Sequence, residues 1–169
     1  LQMLDTCTDI TGKKELYEKN GLEIKKQIDE IKEEYNNANI PPEKRTVLLL
    51  RSASGFVKAK GSDGTILGEM LKSLGCINIA DNDETLLENL SVESVIRQEP
   101  YHIFVVAMGD HEKAMESLQK TMDENPAWGT LSAVKENRLH VMEKTLFNIK
   151  PNADWAKSYE KLSEILLEK

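Results

Sequence analysis

The sequence predicts an α/β fold, a Rossmann-like three-layer lobe with a mainly parallel central sheet of about four strands. Two apolar runs, Thr46 to Ser52 and His102 to Met108, have the length and composition of strands that are buried on both faces. Amphipathic helical segments alternate with the strands, which is typical of parallel sheets with right-handed crossovers. A long amphipathic helix precedes this region.

The first 38 residues are highly charged and have a helical pattern. After Thr11 and Gly12, apolar side chains recur at roughly helical spacing between Lys and Glu, which predicts one long helix with an apolar stripe. The stripe consists of Leu16, Leu22, Ile24, Ile28 and Ile31. Two prolines in NNANIPPEKR end this helix. We therefore divide the chain into a helical segment, residues 1–40, and an α/β domain, residues 41–169.

Local signals define the elements that follow the first strand. A glycine-containing loop over residues 53–64 leads to a helix that begins at Thr65 and is closed by Gly75, a residue favoured at helix C termini. Ile77 to Ala80 is predicted to be a short strand. Residues 81–90 are polar and are predicted to be a loop.

Two helices flank the second buried strand. Ser91, with Glu93 close behind it, favours a helix start of the capping-box type, and this helix ends before Pro100. After the strand, residues 109–124 form an amphipathic pattern with Asp110 near its start. Both segments are predicted to be helices that cover the sheet.

The last crossover begins at an Asn-Pro pair. Asn125 is a favoured capping residue, and Pro126 occupies the first helical position that proline prefers. A break at residues 137–138 then leads to a strand, Leu139 to Met142, and residues 152–169 form a final helix. The pattern is that of the last helix-to-strand connection in a parallel sheet.

Charge and hydropathy narrow the classes of function. The net charge of −7 argues against nucleic-acid binding, which needs clustered Lys and Arg. No apolar run approaches the roughly 18–20 residues of a membrane span, and the first ten residues lack the pattern of a signal peptide. Because the chain begins without Met inside a helical pattern, we expect it to be a fragment of a longer protein.

Few residues have the spacing of a metal or catalytic centre. Cys7 and Cys76 lie far apart, so neither a zinc site nor a disulfide framework is indicated. His102, His111 and His140 form no ligand pair, and His111 alone follows the end of a strand. No nucleophile motif or paired carboxylates occur in one predicted loop. The sequence therefore predicts no enzyme, no metal site and no cofactor.

Ligands of parallel sheets bind in the loops at the carboxyl ends of the strands. Three loops qualify, residues 51–64, 108–112 and 143–152. From the first two loops we take the following candidates for ligand contact: Arg51, Ser52, Phe56, Lys58, Lys60, Met108, Asp110 and His111.

The first loop has a local excess of positive charge. Arg51, Lys58 and Lys60 come before its first acidic residue, Asp63, in a chain that is acidic overall. Near charges dominate over a screening length of about 8–10 Å, so this loop can attract an anionic ligand. A solvated surface loop is the alternative. The glycines of this region match neither the G-x-G-x-x-G nor the G-x-x-x-x-G-K-[ST] phosphate-binding pattern, so the sequence does not favour nucleotide binding.

Three segments in order carry a resemblance to a known family. They are LGCINIAD at residues 74–81, LSVESVIRQEPYHI at residues 90–103 and NPAWGTLSAVKENRLHV at residues 125–141. The chain resembles the C-terminal lobe of the substrate-binding proteins of iron–siderophore, haem and cobalamin ABC importers. The helix over residues 11–36 is similar to the helix that joins the two lobes in that family, so the N-terminal lobe is expected to be missing.

The resemblance implies a transport function. Two α/β lobes close over a metal chelate, haem or corrinoid, and the closed complex docks on a permease driven by a cytoplasmic ATPase. It also implies an extracytoplasmic location, in the periplasm or on the cell surface, with membrane attachment only through a lipid anchor outside this chain. No nucleic-acid partner and no resident cofactor are implied.

The resemblance also implies roles for particular residues. Glu93 matches the glutamate with which the C-terminal lobe engages basic permease residues. It could also cap its helix, and the two roles are not exclusive. Where the family often has a basic or aromatic ligand contact after the last strand, this sequence offers Phe147, Lys150 and Asn152 in place of an arginine. Phe147, like Phe56, could alternatively be a plain loop anchor.

A second class of function remains open. The chain could be a small Rossmann-like domain that binds a nucleotide or serves a regulatory role, dimerising through the apolar stripe between Leu16 and Ile31. A lipoprotein signal and a second α/β lobe upstream would favour the receptor, whereas a cytoplasmic fusion would favour this module.

Overall fold

The computed structural model describes residues 1–148 and 154–168, which form two compact units. One unit comprises residues 1–39 together with the C-terminal helix, Trp155–Leu166. The other comprises the residues from Ile40 onward, up to the end of the first described range. The sequence-based division at residues 40 and 41, with the final helix in the α/β domain, stays a prediction.

The first unit is helical. Its elements in chain order are α1 (Gln2–Thr11), α2 (Lys14–Tyr17), a π-helical turn (Glu18–Leu22) and α3 (Glu23–Asn37). Gly12 ends α1 in the left-handed conformation, with φ of 68°. The segment from α2 to α3 is continuous, which agrees with the predicted long helix, and the C-terminal helix packs against α3.

A five-stranded sheet organises the second unit. Its strands are β1 (Thr46–Ala53), β2 (Phe56–Ala59), β3 (Ile77–Asn78), β4 (His102–Ala107) and β5 (Leu139–Met142). The order is β2-β1-β4-β5, with β3 beside the start of β1. All pairings are parallel except that of β1 with β2, so the predicted class of fold is confirmed.

Helices connect these strands and follow the last of them. They are α4 (Ile66–Ser73), α5 (Glu84–Asn89), α6 (Val92–Gln98), α7 (His111–Glu124), α8 (Ser132–Lys135) and α9 (Lys144–Phe147). Among the described residues of this unit there are also three 3-10 turns, Pro42–Arg45, Ile79–Asn82 and Pro126–Thr130. The sequence predicted the starts of α6 and α7, and Ser91 and Asp110 cap these two helices.

The core lies against the central strands. All six residues of β4 are buried, as its apolar run predicted. Alternate side chains of β1 and β4 meet Trp128 and its neighbours on one face of the sheet. This cluster includes Leu48, Leu50, Ile103, Val105, Leu118, Trp128 and Leu131. Burial of these side chains fixes which residues of β1 and β4 point to the opposite face.

Three predicted segments differ from the structure. The predicted loop over residues 53–64 contains β2, because Gly55 adopts φ of 86° and turns the chain into a hairpin. The predicted strand from Ile77 ends after two residues and continues as a 3-10 turn. The predicted loop at residues 81–90 contains α5, because the Asp83 carboxylate accepts from two amides at the helix start.

The Asn-Pro crossover has the predicted start but a tighter winding. The Asn125 side chain accepts from the Ala127 amide, and Pro126 follows it at the first position of a 3-10 turn. The α-helical part begins later, at Ser132.

Among the described residues, no helix is both long and apolar enough to cross a membrane.

Candidate ligand-binding edge

Three parallel strands end at the same edge of the sheet. Ser52 of β1 pairs with Ala107 of β4, and Val106 of β4 pairs with Met142 of β5. The residues that follow these strands therefore emerge side by side. This is the edge at which parallel sheets bind ligands.

An open recess lies between the ends of β4 and β5. Its volume is about 290 Å³, and Gly109, with φ of 69°, turns the chain beneath it. The lining residues are Ala107, Gly109, His111, Val141, Met142, Glu143, Lys144 and Thr145. His111 opens α7 with an exposed side chain, so an imidazole, a lysine and a carboxylate surround a largely aliphatic surface.

The β1–β2 hairpin gathers the predicted cations on one face. Arg51 pairs with Lys58 and Ala53 pairs with Phe56, while the Lys60 amide donates to the Leu49 carbonyl oxygen at 2.9 Å. Partners across an antiparallel pair share a face of the sheet. We call this surface the cationic face; its residues are Arg51, Phe56, Lys58 and Lys60.

The aromatic member of the cationic face is accessible. Phe56 is 44% exposed, and the Lys58 ammonium lies 5.8 Å from the centre of its ring. Such an arrangement is a cation–π contact at an exposed site. A ring and a neighbouring cation are thus presented together at the end of the sheet.

Arg51 and Lys60 also border a small internal cavity. Its volume is about 10 Å³, and it is bordered as well by Thr65, Phe147 and Asn148. The cavity is too small for any ligand beyond a water molecule. It therefore marks the inner limit of the cationic face.

Several predicted contact residues have structural roles. The Ser52 side chain is fully buried, and its hydroxyl donates to the Ala114 carbonyl oxygen at 2.6 Å. Phe147 is 1% exposed, as expected for a loop anchor. The Asp110 carboxylate accepts from the Lys113 amide and caps α7. None of these three side chains is included in the contacts that we propose below.

Met108, a further predicted contact, lies next to the segment that follows α9. The Asn148 side-chain amide donates to the Met108 sulfur at 2.7 Å, which ties the segment after β4 to the segment after α9. Met108 is partly exposed. Lys150 and Asn152 lie outside the described residues.

Glu93 is exposed in the first turn of α6. The cap of this helix is provided by Ser91, whose hydroxyl accepts from the Ser94 amide at 3.3 Å. In a capping box, the side chain three residues after the cap reaches back to the cap amide. That residue is Ser94 here, so the interpretation in which Glu93 caps the helix is wrong.

The remaining histidines lie toward the amino ends of the strands. The His102 Nδ1 and His140 Nε2 atoms are 3.2 Å apart. Burial, with a smaller effect of the Arg138 charge, lowers the pKa of His140 below its ordinary value of 6.5. Within the described ranges, no group of three potential ligands is placed to hold a metal ion.

Sequence reasoning did not name most residues of the recess. Glu143, Lys144 and Thr145 fall within a loop that the parallel-sheet rule had selected. Their position at the sheet edge was therefore predictable, but their place in the lining of the recess was not. Val141 lies on β5 and is 43% exposed, which no local pattern signals. Such positions depend on which strand forms the edge of the sheet.

The chain is similar to known proteins of one family. A family model described as "Periplasmic binding protein" matches residues 1–146. The high-affinity heme uptake system protein IsdE of Staphylococcus aureus (strain bovine RF122 / ET3-1) is 23% identical over 144 residues, covering 85% of this chain and 49% of that protein. The chain thus spans about half the length of the curated relatives it matches.

Solved structures show the same fold. The crystal structure of S. aureus IsdE complexed with heme has a TM-score of 0.80 at 20% identity, covering 98% of this chain and 62% of that chain. The triscatecholate siderophore binding protein FeuA from Bacillus subtilis, complexed with ferri-bacillibactin, has a TM-score of 0.63 at 22% identity. It covers 94% of this chain and 54% of FeuA.

Proposed function

Because this chain belongs to the periplasmic binding protein family, as its motifs predicted, we propose that it forms the C-terminal lobe of an extracytoplasmic receptor. The receptor captures an iron chelate, haem or a corrinoid between two lobes and delivers it to an ABC importer. It is a transport protein rather than an enzyme. The observation that carries this proposal is the family match over residues 1–146, which includes all three strand ends.

The candidate edge supplies the C-terminal half of the cleft. The Arg51 and Phe56 end of the cationic face and the recess offer chemically different contacts at the same edge of the sheet. Charge-assisted hydrogen bonds from Arg51 or a lysine to a carboxylate or catecholate are each worth roughly 1.5–3 kcal/mol when shielded from water. The Phe56 ring offers apolar contact, and His111 offers an imidazole. These contacts favour an anionic chelate or haem.

Delivery to the importer involves Glu93 in this proposal. Its carboxylate is exposed and is not needed for the helix cap, so it is available to a basic surface of the permease. Complementary charges steer association and fix its register. A lipid anchor outside these residues would hold the receptor on the outer side of the membrane.

The decisive experiment is a binding screen of the two-lobe receptor against haemin, cobalamin and ferric siderophores. We expect submicromolar affinity for one of these ligands. The isolated 169-residue chain should bind the same ligand far more weakly, because half of the cleft contacts are absent.

Two outcomes would overturn the proposal. Submicromolar affinity of the isolated chain would contradict the half-cleft interpretation. Binding of a nucleotide, with no affinity for any chelate or tetrapyrrole, would instead favour the Rossmann-like nucleotide-binding or regulatory module.

A further inference from the structure

The segment that carries Lys60 is held by side chains from the next strand and turn. The Asn78 side-chain amide donates to the Lys60 carbonyl oxygen at 2.7 Å. Two residues further on, the Ser62 amide donates to the Asp81 carboxylate at 2.6 Å. These two contacts bracket the point at which the chain leaves β2.

The Asn78 and Asp81 contacts link the end of β2 to β3 and the turn after it, although these two strands do not pair with each other. β2 pairs with the carboxyl half of β1, whereas β3 pairs with its amino end, at Thr46 and Val47. Asn78 is the second residue of β3 and is 3% exposed. Its side chain therefore continues the connection between the two strands at the place where the ladder is interrupted.

Both polar atoms of the Asn78 side-chain amide form hydrogen bonds. The Nδ2 group donates to Lys60, and the Oδ1 atom accepts from the Ala80 amide at 3.2 Å. A hydrogen-bonded side chain that is buried in this way has one orientation. An aspartate at this position would lose the donor and place a carboxylate against a carbonyl oxygen.

The opposite side of the segment is closed by α4. A Cβ atom on Gly68 would lie 2.5 Å from the Ser62 carbonyl oxygen and 2.3 Å from the Thr65 hydroxyl oxygen. Thr65 in turn donates to the Gly61 carbonyl oxygen at 3.2 Å. The backbone between Lys60 and Ser62 is thus confined from two sides.

We propose that Asn78 and Asp81 are positioning residues for ligand recognition, which act by holding Lys60 on the cationic face. The inference rests on the proposed function, since it assigns Lys60 to the ligand cleft. It gives a role to the LGCINIAD segment, whose Asn78 and Asp81 face the hairpin rather than the ligand edge. Affinity for an anionic ligand then depends on residues that do not touch it.

The first arm of the test needs no ligand. Amide hydrogen exchange is measured by NMR in the 169-residue chain and in the Asn78→Ala, Asp81→Ala and Asp81→Asn variants. Asn78→Ala should speed exchange of the Lys60 amide at least tenfold, with less than a twofold effect at Met108, whose amide bonds to Ser52 on the other side of β1. Equal acceleration at Lys60 and Met108, or none, would overturn the proposal.

Two Asp81 variants and one control variant distinguish positioning of the backbone after β2 from general destabilisation of the fold. Asp81→Ala should speed exchange at Ser62, and Asp81→Asn should restore protection, because it keeps an acceptor oxygen. Asn125→Ala removes another turn cap and should leave Lys60 and Ser62 unchanged. Failure of Asp81→Asn to restore protection would count against Asp81.

The second arm uses the two-lobe receptor and a ferric tris-catecholate complex as the probe. Asn78→Ala should weaken binding at least fivefold, but less than twofold in a Lys60→Gln background, because the effect is transmitted through Lys60. The same loss in both backgrounds would overturn the proposal. A wild-type receptor that does not bind the probe would count against anionic-chelate recognition, while the exchange results would still decide whether Asn78 and Asp81 hold Lys60.

Discussion

Arg51 and Lys58 lie directly opposite each other in the antiparallel pairing of β1 and β2. Like charges at such positions destabilise a sheet by a few tenths of a kcal/mol up to about 1 kcal/mol. Lys60 lies on the same face of the hairpin. An arrangement that weakens the fold in this way is expected where an anion binds, because the ligand relieves the repulsion.

Replacing Lys58 by Gln should stabilise the free protein. Loss of the repulsion with Arg51 is expected to raise the free energy of unfolding by roughly 0.2–1 kcal/mol. Urea unfolding measures this change. The matched control is Lys13→Gln, an exposed position in the other unit, which should change stability by less than the hairpin variant. A Lys58→Gln protein less stable than wild type would contradict the prediction.

Neutralising all three cations should weaken binding of an anionic chelate. Changing Arg51, Lys58 and Lys60 to Gln in the two-lobe receptor is expected to lower affinity at least tenfold, and added salt should then weaken binding less than in wild type. Titration at two ionic strengths tests both effects. The control variant has an equal change of net charge elsewhere in the chain. In this variant Lys13, Lys19 and Lys32 are replaced by Gln. Wild-type affinity of the hairpin variant would show that the hairpin is ordinary surface.

Glu93→Arg should impair uptake without changing ligand affinity. The variant would bring like charges together across the proposed permease contact, whereas the cap of α6 stays with Ser91. Uptake by cells or vesicles that carry the importer is compared with ligand titration of the purified receptor. Glu116→Arg, on the exposed side of α7, is the matched control. Normal uptake with Glu93→Arg would remove the docking role.

The same helix offers a reciprocal variant. Ser91→Ala should lower the free energy of unfolding by about 0.5–2 kcal/mol, because it leaves the Ser94 amide without its cap. Uptake per folded receptor should be unaffected. A larger stability loss from Glu93→Arg than from Ser91→Ala would reverse the roles that we assign to these residues.

His140 should make stability fall in mild acid. Burial lowers its pKa in the folded state, so as the pH falls through about 6.5 the unfolded chain takes up the proton first. The stability that the neutral imidazole provides is therefore present above this pH and is lost below it. Urea unfolding of wild type and His140→Gln at pH 7.5 and 5.0 measures the effect. The loss between the two pH values should be smaller in the variant, and equal losses would refute the prediction.

Gly68→Ala should destabilise the second unit, because the added Cβ would lie 2.3 Å from the Thr65 hydroxyl oxygen and 2.5 Å from the Ser62 backbone. Overpacking of this kind typically costs 1–3 kcal/mol. Gly129→Ala is the matched control, since its Cβ would meet nothing within 4 Å. The control should leave stability within about 1 kcal/mol of wild type. Thermal unfolding of the two variants provides the comparison.

The sequence by itself determined the class of fold, and it predicted the sheet edge at which we propose that a ligand binds. The runs that became β1 and β4 are apolar without alternation, and only strands buried on both faces need that composition. Capping by Ser91 and Asn125 was also readable, because a cap depends on neighbours within three residues. Such signals are local.

The tertiary structure decided which candidates share a surface. Ser52 and Arg51 are adjacent in sequence, yet one is buried against α7 and the other lies on the cationic face, because neighbouring side chains of a strand point to opposite faces. The hairpin that pairs Arg51 with Lys58 depends on the left-handed Gly55, and the hold on Lys60 comes from Asn78, 18 residues away. Contacts between residues so far apart in sequence are set by strand pairing and packing, which no local pattern contains.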